Sequence, residues 1–351
     1  MSWPLLVDSL NLLGVRGAPI TLFLDESRMI QAVNPRREAL DEFLRRPPLA
    51  EAIQVEPSLP RAALLAETGL SIMETANRQF LWGDVAGVTA AIQKYQEILN
   101  VEPRKGRTAF RLGVAFRRRY DSPARRPEDF AKAVASWGAA LALDPNQYIW
   151  RRRIQQYGPR LAKPYSFYDW VNMARSDIGA RGDLPVTLDV EPGGAEFAYP
   201  DSDFQIESDL GENPDPEGRI YRDQNGLVAI EALVVPGTTG DVARVHVVLR
   251  PDENRQVHWN NEVEDMVLWV DADEGIEVDQ ARHVYEVPEN PVSVEERRVE
   301  FEVRVSGESA KGTGEIKGYA LYYICEDVNG QCLYRRQDFS LRMTPLSVGT
   351  K

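Results

Sequence analysis

Tyr322-Tyr323-Ile324-Cys325-Glu326-Asp327-Val328-Asn329-Gly330-Gln331-Cys332-Leu333-Tyr334 reads as strand, turn, strand. Apolar and aromatic residues flank a polar group that ends in Asn-Gly, a strong turn signal. The chain's two cysteines both fall in this hairpin, at Cys325 and Cys332. A pair confined to one hairpin can close a disulfide with little chain rearrangement. If Asp327 to Gly330 form a four-residue turn, Glu326 faces Gln331 and Cys325 faces Cys332 directly. Facing Cβ atoms in such a ladder lie about 4.5–5.5 Å apart, within a local adjustment of disulfide geometry. If Asn329-Gly330 alone make the turn, Cys325 faces Tyr334 and the cysteines are diagonal neighbours. Both registers keep them on one side of the ribbon.

Upstream of the hairpin the hydrophobic period is two. Strands are expected at 227–235, 242–249, 266–270, 299–305 and 319–325, then at 332–334 and 339–343. Val299-Glu300-Phe301-Glu302-Val303-Arg304-Val305 alternates cleanly, with one face buried and one wet. Short strands separated by turns, with no helix between them, imply an antiparallel β-sandwich over residues 226–345. Residues 183–225 precede it as an acidic, loop-rich linker with Pro192-Gly193-Gly194, Pro200, Pro214 and Pro216.

Residues 61–182 are helical by pattern. Residues 1–46 read as a compact β/α piece: strands at 20–24 and 29–33, then a helix at 36–46 carrying Ala39, Leu40, Phe43 and Leu44. Residues 5–13 suit a short helix or turn. The fold class expected is therefore multidomain α+β.

Charge divides the chain the same way. Residues 1–182 hold 26 Lys and Arg against 19 Asp and Glu; residues 183–351 hold 15 against 35. A net of −20 in the second half argues against nucleic acid binding there. The two halves could attract one another, in cis or between subunits. No apolar run approaches the roughly 20 residues that span a bilayer, so no membrane partner is expected. The start lacks the basic and apolar regions of a signal peptide, and as given the chain reads as cytoplasmic. In that compartment two thiols normally stay reduced.

Three resemblances follow. Leu13-Gly14-Val15-Arg16-Gly17-Ala18-Pro19-Ile20-Thr21-Leu22-Phe23-Leu24-Asp25 resembles the second half of a TlpA/ResA-type thioredoxin fold. The resemblance implies a cis Pro19 beside a reactive disulfide; the plain reading is a β-hairpin and helix with a trans Pro19. The β-α-β unit carrying that family's Cys-x-x-Cys is missing. Either the frame starts late in a longer gene, which would make the protein periplasmic or otherwise extracytoplasmic, or another chain completes the sheet.

Ala91, Tyr95, Ile98 and Pro103, repeated as Ala133, Trp137, Ala140 and Pro145, resemble the second helix of tetratricopeptide repeats; Leu112, Gly113 and Phe116 fit a first helix. The spacing exceeds a standard repeat, with residues 122–129 as the insertion. An unrelated helical bundle is the alternative.

Residues 226–343, ending in the cysteine hairpin, resemble the amino-terminal immunoglobulin-like domain of DsbD. That resemblance implies that Cys325 and Cys332 cycle between dithiol and disulfide with a thioredoxin-like protein partner. Glu326 and Asp327 beside Cys325 would raise its pKa, so a structural disulfide and reduced core thiols stay open beside the redox reading.

Other chemistry is sparse. Arg117-Arg118-Arg119, Arg125-Arg126 and Arg151-Arg152-Arg153 suit an anionic partner or, as plain surface, solvated helix faces with some pairing. The aromatic run Tyr148, Trp150, Tyr157, Tyr165, Phe167, Tyr168 and Trp170 suits packing or a peptide groove. His258-Trp259-Asn260-Asn261-Glu262, with Asp271, Asp273 and Glu274, could hold a hard cation or a proton-transfer site; a loop network is the plainer reading. There is no phosphate loop, nucleophile elbow or His-Glu-x-x-His, and no cofactor is expected. The functional expectation is a thiol-disulfide carrier or adaptor in a thioredoxin-linked system, with the helical part recruiting a partner. The alternative is a non-catalytic interaction scaffold. Whether the chain is an enzyme, and its oligomeric state, stay open.

Overall fold

The computed structural model describes residues 8–16, 21–26, 29–33, 35–47, 69–162, 169–184, 203–207, 211–237, 241–305, 314–326 and 330–343. Pro19, Tyr165, Phe167 and Tyr168 lie outside them, as do Asp327, Val328 and Asn329 of the turn. The protein is mixed α and β and divides into two compact units. One comprises residues 1–153 and 167–197; the other comprises 154–166 and 198–351.

In the first unit, strands β1 (Leu22–Leu24) and β2 (Ile30–Val33) pair antiparallel, and helix α1 (Arg37–Arg45) follows. Phe23 stacks on Phe43 of α1 at 4.6 Å, which fixes the helix to the hairpin. Residues 8–16 form turns, because the Asp8 carboxylate accepts hydrogen bonds from the Leu12 and Leu13 amides.

Helix α2 (Ile72–Trp82) starts on a capping box: the Ser71 hydroxyl accepts from the Glu74 amide, and Glu74 Oε2 accepts from the Ser71 amide. Helix α3 (Val85–Val101) starts on Asp84, whose carboxylate accepts from the Ala86 and Gly87 amides. Helices α4 (Gly106–Tyr120), α5 (Asp129–Leu143), α6 (Tyr148–Gln155) and α7 (Asp169–Ala180) follow. Ala91, Tyr95 and Ile98 of α3 and Ala133, Trp137 and Ala140 of α5 are all buried. Gly113 of α4 lets α5 approach: a Cβ there would lie 2.5 Å from the Trp137 indole.

Two of the three arginine clusters contribute contacts to this packing, whereas Arg125 and Arg126 are exposed. Arg119 makes a buried two-pronged pair with Asp129 at 2.6 and 2.9 Å. Arg117 pairs with Asp121 and lies over the Phe130 ring. Arg118 lies over Phe80, Arg152 over Tyr148 and Arg153 over Trp137. Trp150 is buried and stacks on Phe110.

The second unit holds two antiparallel sheets around one core. The four-stranded sheet has the order β3 (Val228–Pro236), β4 (Val242–Pro251), β10 (Arg297–Val305), β7 (Ile276–Val278). The other sheet centres on β11 (Gly314–Glu326). It pairs with β12 (Gln331–Met343) along one side and with β6 (Met266–Ala272) and β5 (Val257–Asn260) along the other. Strands β8 (Arg282–Tyr285) and β9 (Val292–Ser293) extend it.

Alternation decides which side chains enter the core. Val245, Val247 and Leu249 from β4 meet Leu268 and Val270 from β6 and Ile316, Ala320, Tyr322 and Ile324 from β11. Val257 and Trp259 of β5 are in the same core. The odd-numbered residues of β11, and His258, therefore lie on the outer face of their sheet.

No helix of the described residues is long and apolar enough to cross a membrane.

Candidate functional site

The cysteine hairpin takes the four-residue-turn register. Glu326 faces Gln331, and Cys325 faces Cys332. Gly330 adopts a φ of 60° and donates its amide to the Glu326 carbonyl at 2.8 Å, which closes the turn. Cys325 and Cys332 form a disulfide, with Cα atoms 4.0 Å apart.

Backbone direction explains the close approach. The Arg336 amide and carbonyl bond outward, to Tyr221 and Asp223, forming a short parallel bridge at Arg222. Strand direction alternates with period two, and β12 pairs with β11 without a register shift. Tyr334 and Cys332 therefore also direct their amides and carbonyls away from β11. In an antiparallel ladder such outward-bonding pairs bring their side chains closest.

The two sulfurs are not equivalent. Cys325 is 9% exposed, whereas Cys332 is open to solvent. On its other side Cys325 faces His258 of β5, and the imidazole shares its face of the sheet. Cross-strand neighbours of this kind have Cβ atoms about 4.5–5.5 Å apart. Three adjacent strands thus present His258, Cys325 and Cys332 in one row. Glu326 has the opposite parity to Cys325, so its carboxylate leaves from the other side of the ribbon.

Aromatic residues continue the face beyond the disulfide. Tyr323 stacks on Tyr334 with ring centroids 4.4 Å apart. Burial, with the neighbouring Tyr323 and Glu264, pushes the Tyr334 phenol up to about 12. Burial and Glu264 also raise Tyr323. Both remain neutral phenols at ordinary pH.

Farther along, Arg336 lies over the Tyr319 ring and pairs with Asp215 at 2.8 Å and Asp338 at 2.7 Å. The Asp215 carboxylate also accepts from the Arg219 amide, pinning residues 213–222 across the sheet. This strap borders a cleft of about 780 Å³ that includes Trp269, Asp271, Lys317 and Tyr319. Charges around it are paired, Lys317 with Glu315 and Arg222 with Asp338. Tyr319 is six residues along β11 from Cys325, about 20 Å.

The outer face of the four-stranded sheet carries a second charged network. His246 Nε2 lies 2.7 Å from the Tyr157 carbonyl, and its Nδ1 lies 3.0 Å from Glu300. Arg244 bonds Glu302 at 3.1 Å. These groups hold residues 157–160 to the sheet.

The word His258-Trp259-Asn260-Asn261-Glu262 does not form a cation site with Asp271, Asp273 and Glu274. Asp271 pairs with Lys317 on β11, eight residues from the position that faces His258, or about 26 Å. Asn261 instead bonds Arg297, the Asn290 carbonyl and Ser293, and Trp259 Nε1 donates to the Glu295 carbonyl. Among the described residues no three His, Cys, Asp or Glu side chains gather as metal ligands.

Sequence reasoning had separated His258 from the cysteines. Nothing local in Val257-His258-Trp259-Asn260 says that this four-residue strand pairs with the end of β11.

No protein-family model matches the chain, and no curated protein matches it.

Proposed function

We propose that the chain is a thiol-disulfide exchange carrier or adaptor that uses Cys325 and Cys332 as its redox couple. The observation that carries this reading is the row His258–Cys325–Cys332, in which the exposed sulfur lies outermost and the histidine stands behind the buried one. A partner thiolate attacks Sγ of Cys332 and forms a mixed disulfide. The Cys332–Cys325 bond breaks, and its electron pair leaves on Cys325. His258, the cross-strand neighbour of Cys325, is placed to donate a hydrogen bond to that thiolate. A second partner thiol then attacks the partner's own sulfur and releases Cys332 as a thiolate, which takes up a proton. The partner's dithiol is oxidised by two electrons, and the cysteine pair is reduced by two.

The resemblances of the front segment to TlpA/ResA-type proteins and of the hairpin to DsbD support a thioredoxin-like partner. The tetratricopeptide-like helices would recruit it. A resting disulfide suits an oxidising, extracytoplasmic compartment; in the cytoplasm the dithiol would be the resting form.

Redox buffers of graded potential, followed by alkylation and mass spectrometry, test the reading. Both cysteines should become labelled together in one two-electron transition. Absence of any closed pair under oxidising buffer would remove the redox role. The Cys325→Ser/Cys332→Ser protein should lose exchange with reduced thioredoxin; retained partner binding with no exchange in either protein would favour the scaffold alternative.

A further inference from the structure

We propose that the edge of β12 at Cys332–Tyr334 receives an extended, cysteine-bearing segment of the thiol partner as an added antiparallel strand. The inference rests on the exchange reading above and says how the partner is held. Cys332 and Tyr334 direct their amides and carbonyls outward by the period that makes Arg336 do so. Among the described residues no backbone group bonds this edge at Cys332 or Tyr334; the Tyr334 carbonyl accepts from the Arg335 guanidinium at 3.0 Å, a side-chain contact that an added strand would displace. The same edge already takes a strand: Tyr221–Asp223 pair with it at Arg336. That segment does not continue along the edge toward Cys332, because the Arg219 and Ile220 amides turn to the Asp215 carboxylate. Open strand edges are templates for such additions.

Chemistry fixes what the added strand must carry. Sulfur displacement needs the attacking sulfur opposite the leaving one. The leaving sulfur, on Cys325, lies on the β11 side of Cys332. The attacking sulfur must then come from the side away from β11, which is the open edge. An antiparallel strand there would make a mutually hydrogen-bonded pair with Cys332, with Cα atoms about 5.5 Å apart. A relaxed disulfide spans about 5.5–6 Å between Cα atoms. A partner cysteine opposite Cys332 would therefore be aligned for attack and placed at the spacing of the mixed disulfide. The residue two positions away would rest on the half-buried Tyr334 ring.

The test uses the oxidised full chain and three probes. One is a short, Lys-flanked Thr/Val peptide with a single central cysteine. The second is the same peptide N-methylated on the amides that would face β12. The third is 2-mercaptoethanol. Rates of mixed-disulfide formation are followed by mass spectrometry and normalised to each probe's reaction with a small disulfide. The extended peptide should react about tenfold or more faster than its methylated form, as two added backbone hydrogen bonds would give. In the adduct, the Cys332 and Tyr334 amides should gain hydrogen-exchange protection. Equal normalised rates without protection would overturn strand addition while leaving thiol exchange intact. Failure of all three probes, 2-mercaptoethanol included, would overturn the exchange reading itself.

Discussion

His258 and Cys325 are direct cross-strand neighbours, with both side chains on the outer face of the sheet and Cys332 on the far side of Cys325. A sulfur leaving as thiolate beside an imidazole is helped by it. His258→Ala should slow reduction of the disulfide by about tenfold to a hundredfold at neutral pH. The variant should still form the disulfide and melt as the parent does. Stopped-flow reduction with added imidazole separates the roles: imidazole should restore part of the variant's lost rate. No rescue by imidazole would assign His258 a packing role only.

Asp215 pins the strap beside this face, and its pairing with Arg336 is well shielded. Burial raises its carboxyl pKa, but the hydrogen bonds from Arg336 and from the Arg219 and Ile220 amides outweigh it, so the net shift is below the ordinary 3.8. A depressed folded pKa contributes stability above the unfolded value, which is lost as pH falls through the folded one. The strap should hold at neutral pH and loosen below about pH 4. Asp215→Ala should cost about 1–3 kcal/mol, because it removes one of the two carboxylates on Arg336 and the acceptor of the Arg219 and Ile220 amides. Urea unfolding at pH 7 and pH 3 reads both effects; an unchanged midpoint in the variant would contradict them.

His283 also loses stability on acidification, but through burial alone. Burial lowers its pKa from 6.5 to about 4, against a hydrogen bond involving the Gln280 backbone, and its ring stacks on Phe301. The unfolded chain binds this proton more readily, so stability should fall as pH drops from 6.5 towards 4. The loss is of order 3 kcal/mol from this residue. His283→Gln should flatten that part of the stability curve. A variant curve parallel to the parent's would show that His283 is not its source.

Gly113 has a packing consequence. Alanine there gains helix propensity of about 1 kcal/mol but drives its methyl into the Trp137 ring and the Ala133 carbonyl. Overpacking typically costs about 1–3 kcal/mol. Gly113→Ala should therefore lower the melting temperature of the helical unit, read by far-ultraviolet circular dichroism, and leave the exchange rate unchanged. A raised melting temperature would mean that α4 and α5 can part without loss.

The sequence was most legible where one face of an element is wet. Strands β6 and β10 announce themselves by alternation, whereas β4 and β11, buried on both faces, show as longer apolar runs. Strand β12 read as two pieces because Arg335, Arg336, Gln337 and Asp338 interrupt its apolar pattern. Two of them are outward residues that pair with one another and with the strap, so tertiary contacts rather than burial hold that stretch in the strand. Strands β5, β7, β8 and β9 are four residues or fewer, too short for a period to show. The cysteine pair was visible as a hairpin, but two registers fitted, and only the ladder chose between them. His258 was legible as an unusual residue and illegible as a neighbour, since nothing local says that β5 pairs with the end of β11.

The central claim is that Cys332 is the attacked sulfur and Cys325 the leaving one. Reduced thioredoxin whose resolving cysteine is replaced by serine would trap the intermediate on the oxidised chain, and peptide mapping by mass spectrometry would locate it. The thioredoxin should be attached to Cys332, with Cys325 recovered as a free thiol. Attachment at Cys325, or no adduct under conditions where thioredoxin reduces an ordinary exposed disulfide, would contradict the account.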